Sequence, residues 1–384
     1  MVKGYVHVEI TVEQSSKTPG NPCGDVLLYD RTTSATTIIL SDGLGSGIKA
    51  SIAATICASR LLELLRRGFS LRSAVTNIIK TMDKAKEKNL PYAVFTVIRI
   101  LNDGEATVIT YEMPPPLFIA GRIANILKQR QIIIDTEIAG EATCYVEPGD
   151  GIIVVSDGIT MAGIGLSLKR GWQIDGVCNY INTCLSKGIS IYDLAGHIHR
   201  HGRRLWEEEG GDDCTAALAF CRKGETVNIL TGPPEDRRDD IKTVNKFIHM
   251  EGNKIVCGAS TASMVARILG KAVTIDEDSC SELSPPKYYI EGIDLVTEGA
   301  ITLNQVYNII DEDEAYYEQD SAVTELCEHL KSSDRINFFT GKAKNPGHIH
   351  MAFQQKGVLP RHKIVPLLGE KLEKAGKLVV VEYL

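Results

Sequence analysis

The sequence predicts an α+β chain of two domains: a domain of antiparallel sheets with inserted helices, followed by a smaller α/β domain. Three observations lead there. The first part of the chain carries short, turn-bounded β-branched runs of the kind antiparallel sheets use. Beyond Lys223 such runs alternate with helical stretches, as in an α/β unit. The length, 384 residues, exceeds one average domain and suits two.

In chain order, strands are expected at Tyr5–Val12, Asp25–Tyr29, Thr36–Leu40, Ala93–Leu101, Ala106–Tyr111, Leu117–Ile119, Ile152–Val155 and Thr215–Phe220. Gly47–Arg67 has apolar residues at helical spacing and stops at Gly68; Ser70 then caps a second helix from Leu71 to about Lys86. A third helix is expected over Ile191–Glu208, broken by Gly210-Gly211. In the second domain, strands at Val227–Leu230, Lys254–Val256, Ile336–Phe339 and Leu378–Val381 alternate with helices at Ile241–Met250, Thr261–Leu269, Thr302–Ile310, Ser321–Leu330 and Lys363–Ala375. Thr231-Gly-Pro-Pro-Glu-Asp is turn-rich and reads as a linker, giving domains at 1–224 and 236–384 with 225–235 between them.

Composition narrows the function. Hydrophobic residues at 43% and charged residues at 24% describe an ordinary globular chain with a core. A net charge of -7 and the lack of a basic block argue against a nucleic-acid partner. An acidic chain can still act on phosphoproteins when a metal ion supplies local positive charge. The N-terminus alternates like a strand and lacks the apolar stretch of a signal peptide. The most apolar helical run, Ile48–Arg67, is interrupted by Lys49, Arg60 and Glu63 and cannot span a bilayer. The ten cysteines form no CxxC pair, which excludes the common zinc-ribbon spacings and leaves reduced thiols as the default. The expected compartment is the cytoplasm.

The residues with chemistry are aspartates. Thr37-Ile38-Ile39-Leu40-Ser41-Asp42-Gly43 and Ile152-Ile153-Val154-Val155-Ser156-Asp157-Gly158 are alike: a buried-type strand delivers an aspartate at its tip, then glycine. Either one alone reads as an Asp-Gly hairpin turn. Asp25, after Pro22-Cys23-Gly24, opens another strand, and Gly210-Gly211-Asp212-Asp213-Cys214-Thr215 leads into a last one. Strand-terminal carboxylates on a β framework suit hard divalent cations, Mg²⁺ or Mn²⁺. Two such ions, roughly 3.5–4 Å apart, can share a carboxylate and a water that becomes hydroxide near neutral pH and attacks phosphorus in line. Glycine after the aspartate lets its carbonyl turn toward a metal.

In the order GD, SDGLGSG, SDG and GGDDCT, the chain resembles the SpoIIE-type branch of the PPM (type 2C) metal-dependent Ser/Thr phosphatases, over about residues 5–222. The ladder between the motifs agrees: two helices after Gly47, a strand pair around Tyr92–Tyr111, and Pro114-Pro115-Pro116-Leu117-Phe118. The resemblance implies a β-sandwich of two antiparallel sheets flanked by helices. It implies that Asp42 bridges both metals, that the Gly43 carbonyl binds one, that Asp25 completes the second metal's shell, and that Asp157 and Asp213 hold the first. Asp213 is chosen because it precedes the Cys-Thr that starts the strand; ligation by Asp212 is the alternative. It also implies a switch role for the helices over Gly47–Lys86, alongside the plain reading of a structural layer with Asp83, Lys84 and Lys86 as surface charges.

The chain departs from the eukaryotic members in having no arginine between Met1 and Asp25 to grip phosphate; Lys17 is the nearby cation besides Lys3. The expected activity is hydrolysis of phosphoserine or phosphothreonine on a protein, with a STAS-type anti-sigma-factor antagonist as the substrate the resemblance puts first. The alternatives are a non-catalytic binding module on the same scaffold and a phosphatase of small phosphoesters. The sequence leaves open the oligomeric state, a homodimer included.

Two further features carry less. His197, His199 and His201 in HIHRH lack the carboxylate of HExxH, and with Glu207-Glu208-Glu209 they read as a solvated helix face. Val256-Cys257-Gly258-Ala259-Ser260-Thr261 passes from strand to helix and offers N–H groups to an anion, although capping by Ser260 or Thr261 is the favoured reading. Thr340-Gly341-Lys342 has the same shape. From its position and these turns, the second domain is expected to sense a ligand or dock a partner.

Overall fold

The computed structural model describes residues 4–45, 47–207, 211–276, 286–313, 317, 320–343 and 358–384. The chain divides into two compact units between Lys223 and Gly224.

The N-terminal unit has two sheets, both antiparallel throughout. The first runs β2 (Asp25–Arg31), β3 (Ala35–Gly43), β4 (Ala93–Leu101), β5 (Glu105–Tyr111), β9 (Glu137–Tyr145), β8 (Arg130–Ile134). The second runs β1 (Val6–Ser15), β11 (Cys214–Lys223), β10 (Gly151–Val155), β6 (Leu117–Ala120), β7 (Ile123–Ile126). Strand alternation explains how they stack. Ile152, Val154, Ala217 and Ala219 point into one core with Ile38, Ile98 and Val108 of the other sheet. Ile153, Val155, Ala216 and Leu218 point the opposite way, onto Val177 and Ile181 of α4 (Gln173–Ser186) and Leu194 and Ile198 of α5 (Leu194–Leu205). Strands covered on both faces read as unbroken apolar runs, which is why β10 is Gly-Ile-Ile-Val-Val. On the outer side of the first sheet lie α1 (Ile48–Arg66) and α2 (Leu71–Glu87), through Leu61, Val75 and Ile78. Ser70 caps α2 as expected, its side chain accepting from the Ser73 amide. The unit is therefore the helix-flanked sandwich of two antiparallel sheets that the sequence leads one to expect.

The C-terminal unit is a three-layer α/β structure. Its parallel strands are β12 (Thr226–Thr231), β13 (Asn253–Cys257), β16 (Leu295–Thr297), β17 (Arg335–Thr340) and β18 (Leu378–Tyr383), in the spatial order β16-β13-β12-β17-β18. Two short strands, β14 (Thr274–Asp276) and β15 (Lys287–Tyr289), extend the β16 edge in antiparallel fashion. One face carries α6 (Asp240–His249) and α7 (Ala259–Leu269), packed on Leu230, Val256 and Phe339. The other carries α8 (Ala300–Ile309), α9 (Ala322–Ser332) and α10 (Arg361–Lys374), packed on Ile229, Cys257 and Phe338. The stretch 225–235, read as a linker, supplies β12, the strand at which the order of this sheet reverses. Its Gly-Pro-Pro segment is a connection from strand to helix within the unit, because Val227, Ile229 and Leu230 are buried in the unit's two cores.

The third expected helix begins later than anticipated, a short 3₁₀ turn over Ile191–Asp193 preceding α5; Glu208, Glu209 and Gly210 lie outside the described residues. The HIHRH face is not simply solvated. His199 Nε2 lies 2.9 Å from Ser15 Oγ, and His201 stacks on Tyr180 with ring centroids 4.4 Å apart. Among the described residues no helix is long and apolar enough to cross a membrane.

Candidate metal centre

The aspartates meet where strand ends of the two sheets come together. On the first sheet, Asp25 opens β2 and pairs directly with Asp42 near the end of β3. On the second, β10 and β11 pair antiparallel with Val155 opposite Ala216, so the residues just beyond them, Asp157 and Asp212-Asp213, fall at the same end. Ser156 locks the two strand tips: its amide donates to Thr215 O at 3.0 Å and its hydroxyl accepts from the Thr215 amide at 2.9 Å.

Neither Asp-Gly is a hairpin turn. Asp42 and Gly43 remain in the ladder, opposite Val94 and Ala93 of β4. Asp157 and Gly158 open a one-turn helix, α3 (Asp157–Thr160). The glycines answer to close packing. A Cβ on Gly43 would stand 2.0 Å from Ala50 O in the first turn of α1, and one on Gly158 would stand 2.0 Å from Asp213 O. The Gly158 carbonyl is in turn held by the Trp206 indole N–H at 2.9 Å.

Asp25 is 2% exposed. Its Oδ2 accepts from Thr215 Oγ1 at 2.6 Å, while Oδ1 is buried with no hydrogen-bond partner among the described residues. Burial, opposed by hydrogen bonds from Thr215 and Ser156 and reinforced by Asp213 and Asp157, pushes its carboxyl up to about 7. Burial first, then Asp25 and Asp157, pushes Asp42 up to about 9. Asp157 is raised as well, by burial and then by Asp212, and it shares a hydrogen bond with Asp42, carboxyl to carboxylate. In each of the three, burial is the first cause of the rise.

The Asp212-Asp213 pair divides its labour. Asp213 Oδ1 accepts from the Lys17 amide at 2.7 Å and Oδ2 from the Gly24 amide at 2.9 Å. It thus ties the loop between β1 and β2 to the tip of β11, and Gly24 is glycine because a Cβ there would lie 2.7 Å from that carboxylate. Asp212 is 43% exposed, caps the Asp213 amide at 3.0 Å and lies 3.9 Å from Lys17 Nζ. Lys17 is thus the basic side chain at the site.

Sequence reasoning missed Thr215, Ser156 and Gln14, whose Nε2 donates to Asp25 O at 2.9 Å and Thr215 Oγ1 at 3.0 Å. Thr215 closes the GGDDCT motif but gave no sign of its partner 190 residues away. It also missed a cavity of about 400 Å³ lined by His199, Arg200, Arg203 and Arg204 on α5. This cavity adjoins the site through the His199–Ser15 contact, since Ser15 pairs with Cys214.

Among the described residues no group of three or more Asp, Glu, His or Cys side chains is placed so as to hold a metal ion as it stands. The donor set nevertheless fits hard divalent cations. It is all oxygen, it includes an orphaned buried carboxylate oxygen on Asp25, and it sets Asp42 directly opposite Asp25 across the β2–β3 ladder.

Residues 32–221 match the family model for stage II sporulation protein E, SpoIIE. No curated protein matches the chain. Among solved structures, the chain is similar to the PP2C phosphatase domain with a fragment of the regulatory domain of SpoIIE from Bacillus subtilis. The identity is 16%, over 57% of this chain and 63% of that one, with a TM-score of 0.48. It is similar also to the RsbU and RsbW domains of a Mycobacterium tuberculosis protein, at 15% identity over 69% and 70% of the two chains and a TM-score of 0.48. RsbX in complex with magnesium matches at 16% identity over 56% of this chain and 99% of its own, with a TM-score of 0.41.

Proposed function

Because this chain belongs to the SpoIIE family through its N-terminal unit, we propose that this unit hydrolyses phosphoserine or phosphothreonine esters on a regulatory protein, using two divalent cations. The observation that carries this reading is the meeting of Asp25, Asp42 and Asp157 at one end of the sandwich, with Asp25 Oδ1 buried and unpaired among the described residues. When bound, Mg²⁺ or Mn²⁺ supplies the charge that draws in a phosphate ester and acidifies a water enough to attack phosphorus.

The chain's own residues hold and orient. Asp42, between Asp25 and Asp157, is the carboxylate suited to be shared by both cations, with the Gly43 carbonyl beside it. Asp25 would hold one cation and Asp157 the other. Thr215 fixes one oxygen of Asp25 and leaves the second to face a cation. For the last carboxylate we favour Asp212 over Asp213. Both oxygens of Asp213 are engaged by backbone amides, whereas Asp212 has an oxygen to spare and weighs first among the charges on Asp157. Lys17 takes the place of the absent arginine beside the substrate phosphate.

A protein substrate is favoured over a small phosphoester by the Arg200, Arg203 and Arg204 cavity, which offers the acidic surroundings of a phosphorylated residue a place to bind. Phosphorylated STAS-type antagonists are the first substrates to test. Hydrolysis of para-nitrophenyl phosphate should be absent in EDTA and appear on adding Mn²⁺; hydrolysis that ignores EDTA would refute a metal-dependent centre.

A further inference from the structure

The C-terminal unit holds a second place built for an anion. Its parallel strands run in the order three-two-one-four-five, so the order reverses between β12 and β17. In such sheets the crevice beyond the carboxyl ends of the strands at the reversal receives ligands. Arg361, the first residue of α10, spans this crevice. Its Nη1 donates to Thr231 O at 3.2 Å, at the end of β12, and to Gly341 O at 3.0 Å, just past β17. Gly232 makes room: a Cβ there would lie 1.0 Å from Nη1. Among the described residues the guanidinium meets no carboxylate, and desolvation depresses its pKa. A desolvated cation without a counter-charge is unusual in a folded chain.

Two helices open toward the same edge. α7 follows Gly258 (φ 117°) and α8 follows Gly299 (φ 87°), and neither has a side-chain cap. The expected capping by Ser260 or Thr261 is thus not what the structure has. Both starts read Gly-Ala-x-Thr. Thr261 Oγ1 turns sideways and accepts the Gly232 amide at 2.8 Å, which fixes the first turn of α7 against the crevice. Arg361 and Cys257, just before Gly258, are close enough to interact electrostatically.

Buried hydroxyls supply the independent sign of a ligand. Thr340 is 2% exposed, and its Oγ1 has no partner among the described residues. It stands in register beside Thr231, on the face of β17 shared with Ile336 and Phe338, which is the face α10 covers. It therefore points to the side from which Arg361 enters. Thr302, in the first turn of α8, is fully buried and likewise unpaired among the described residues.

We propose that this crevice binds the phosphate group of a small phosphorylated molecule, seated on the Arg361 guanidinium, the Thr340 hydroxyl and the open first turns of α7 and α8. The site is separate from the metal centre and stands or falls independently of it. Calorimetry on the full chain in EDTA, with inorganic phosphate, AMP and adenosine injected separately, tests it. Phosphate, AMP or both should bind and adenosine should not. AMP tighter than phosphate would mark an ester as the ligand, and equal or weaker AMP would mark free phosphate. Arg361→Gln should weaken binding by at least about tenfold, while Asp42→Asn leaves it unchanged. Should Arg361→Gln melt, Thr340→Val, which keeps the buried volume, decides by the same loss of affinity. Silence from both anions up to about 10 mM, binding of adenosine equal to AMP, or full affinity in the folded variants would overturn the proposal.

Discussion

Asp25 and Asp42 face each other across the β2–β3 ladder, both pushed well above the ordinary carboxylate range, and Asp25 accepts a hydroxyl hydrogen bond from Thr215 on the other sheet. One sandwich end thus carries acids that the fold presses together at a cost in stability, and the consequences are measurable.

The first concerns pH. An acid with a raised folded pKa keeps its proton in the folded chain after the unfolded chain has released it. The stability this confers is complete below the ordinary value of 3.8 and is lost as pH climbs through about 7 for Asp25 and about 9 for Asp42. The metal-free melting temperature should therefore fall between pH 5 and pH 9. Mn²⁺ should flatten this decline, and Asp42→Asn should reduce it without metal. A melting temperature that rises over that range in EDTA would contradict the assignment.

The second concerns the motif glycines. Gly158→Ala and Gly43→Ala each drive a methyl into a backbone carbonyl that stands 2.0 Å away. Destabilisation of about 1–3 kcal/mol or more is expected from such overpacking, read by chemical denaturation. A change under about 0.5 kcal/mol would show that the backbone yields there.

The third separates the adjacent aspartates. Asp213→Asn places an amide N–H₂ against the Lys17 or Gly24 amide and should cost about 1–3 kcal/mol of stability. Asp212→Asn should leave stability nearly unchanged and weaken Mn²⁺ binding. The reverse pattern would return ligation to Asp213.

The fourth concerns the cavity on α5. Arg200→Ala with Arg204→Ala should raise KM for a phosphoserine protein several-fold and leave para-nitrophenyl phosphate kinetics unchanged. Equal effects on both substrates would remove the case for protein docking there.

Much of this was legible in the sequence because buried strands announce themselves. β3 and β10 carry the apolar runs Ile38-Ile39-Leu40 and Ile152-Ile153-Val154-Val155, each followed by Ser-Asp, so two acids could be placed from their neighbours alone. Elements without such a run were missed. β16 has only three residues, and β9 contains Gly140 and alternates weakly. The Asp-Gly turns were ambiguous because the contact that demands glycine comes from elsewhere, Ala50 O or Asp213 O. The choice within Asp212-Asp213 depends on amides nearly two hundred residues earlier. Arg361 gave no signal because its partners, Thr231 and Gly341, lie at the ends of strands that only the folded sheet brings together.

The most direct test is release of inorganic phosphate from a phosphoserine protein with Mn²⁺ present, in wild type and in Asp42→Asn. The expected result is turnover in the wild type that collapses by orders of magnitude in a variant that still melts cooperatively. Equal turnover in the two proteins, or none in a wild type that has bound Mn²⁺, would contradict a phosphatase centred on Asp42.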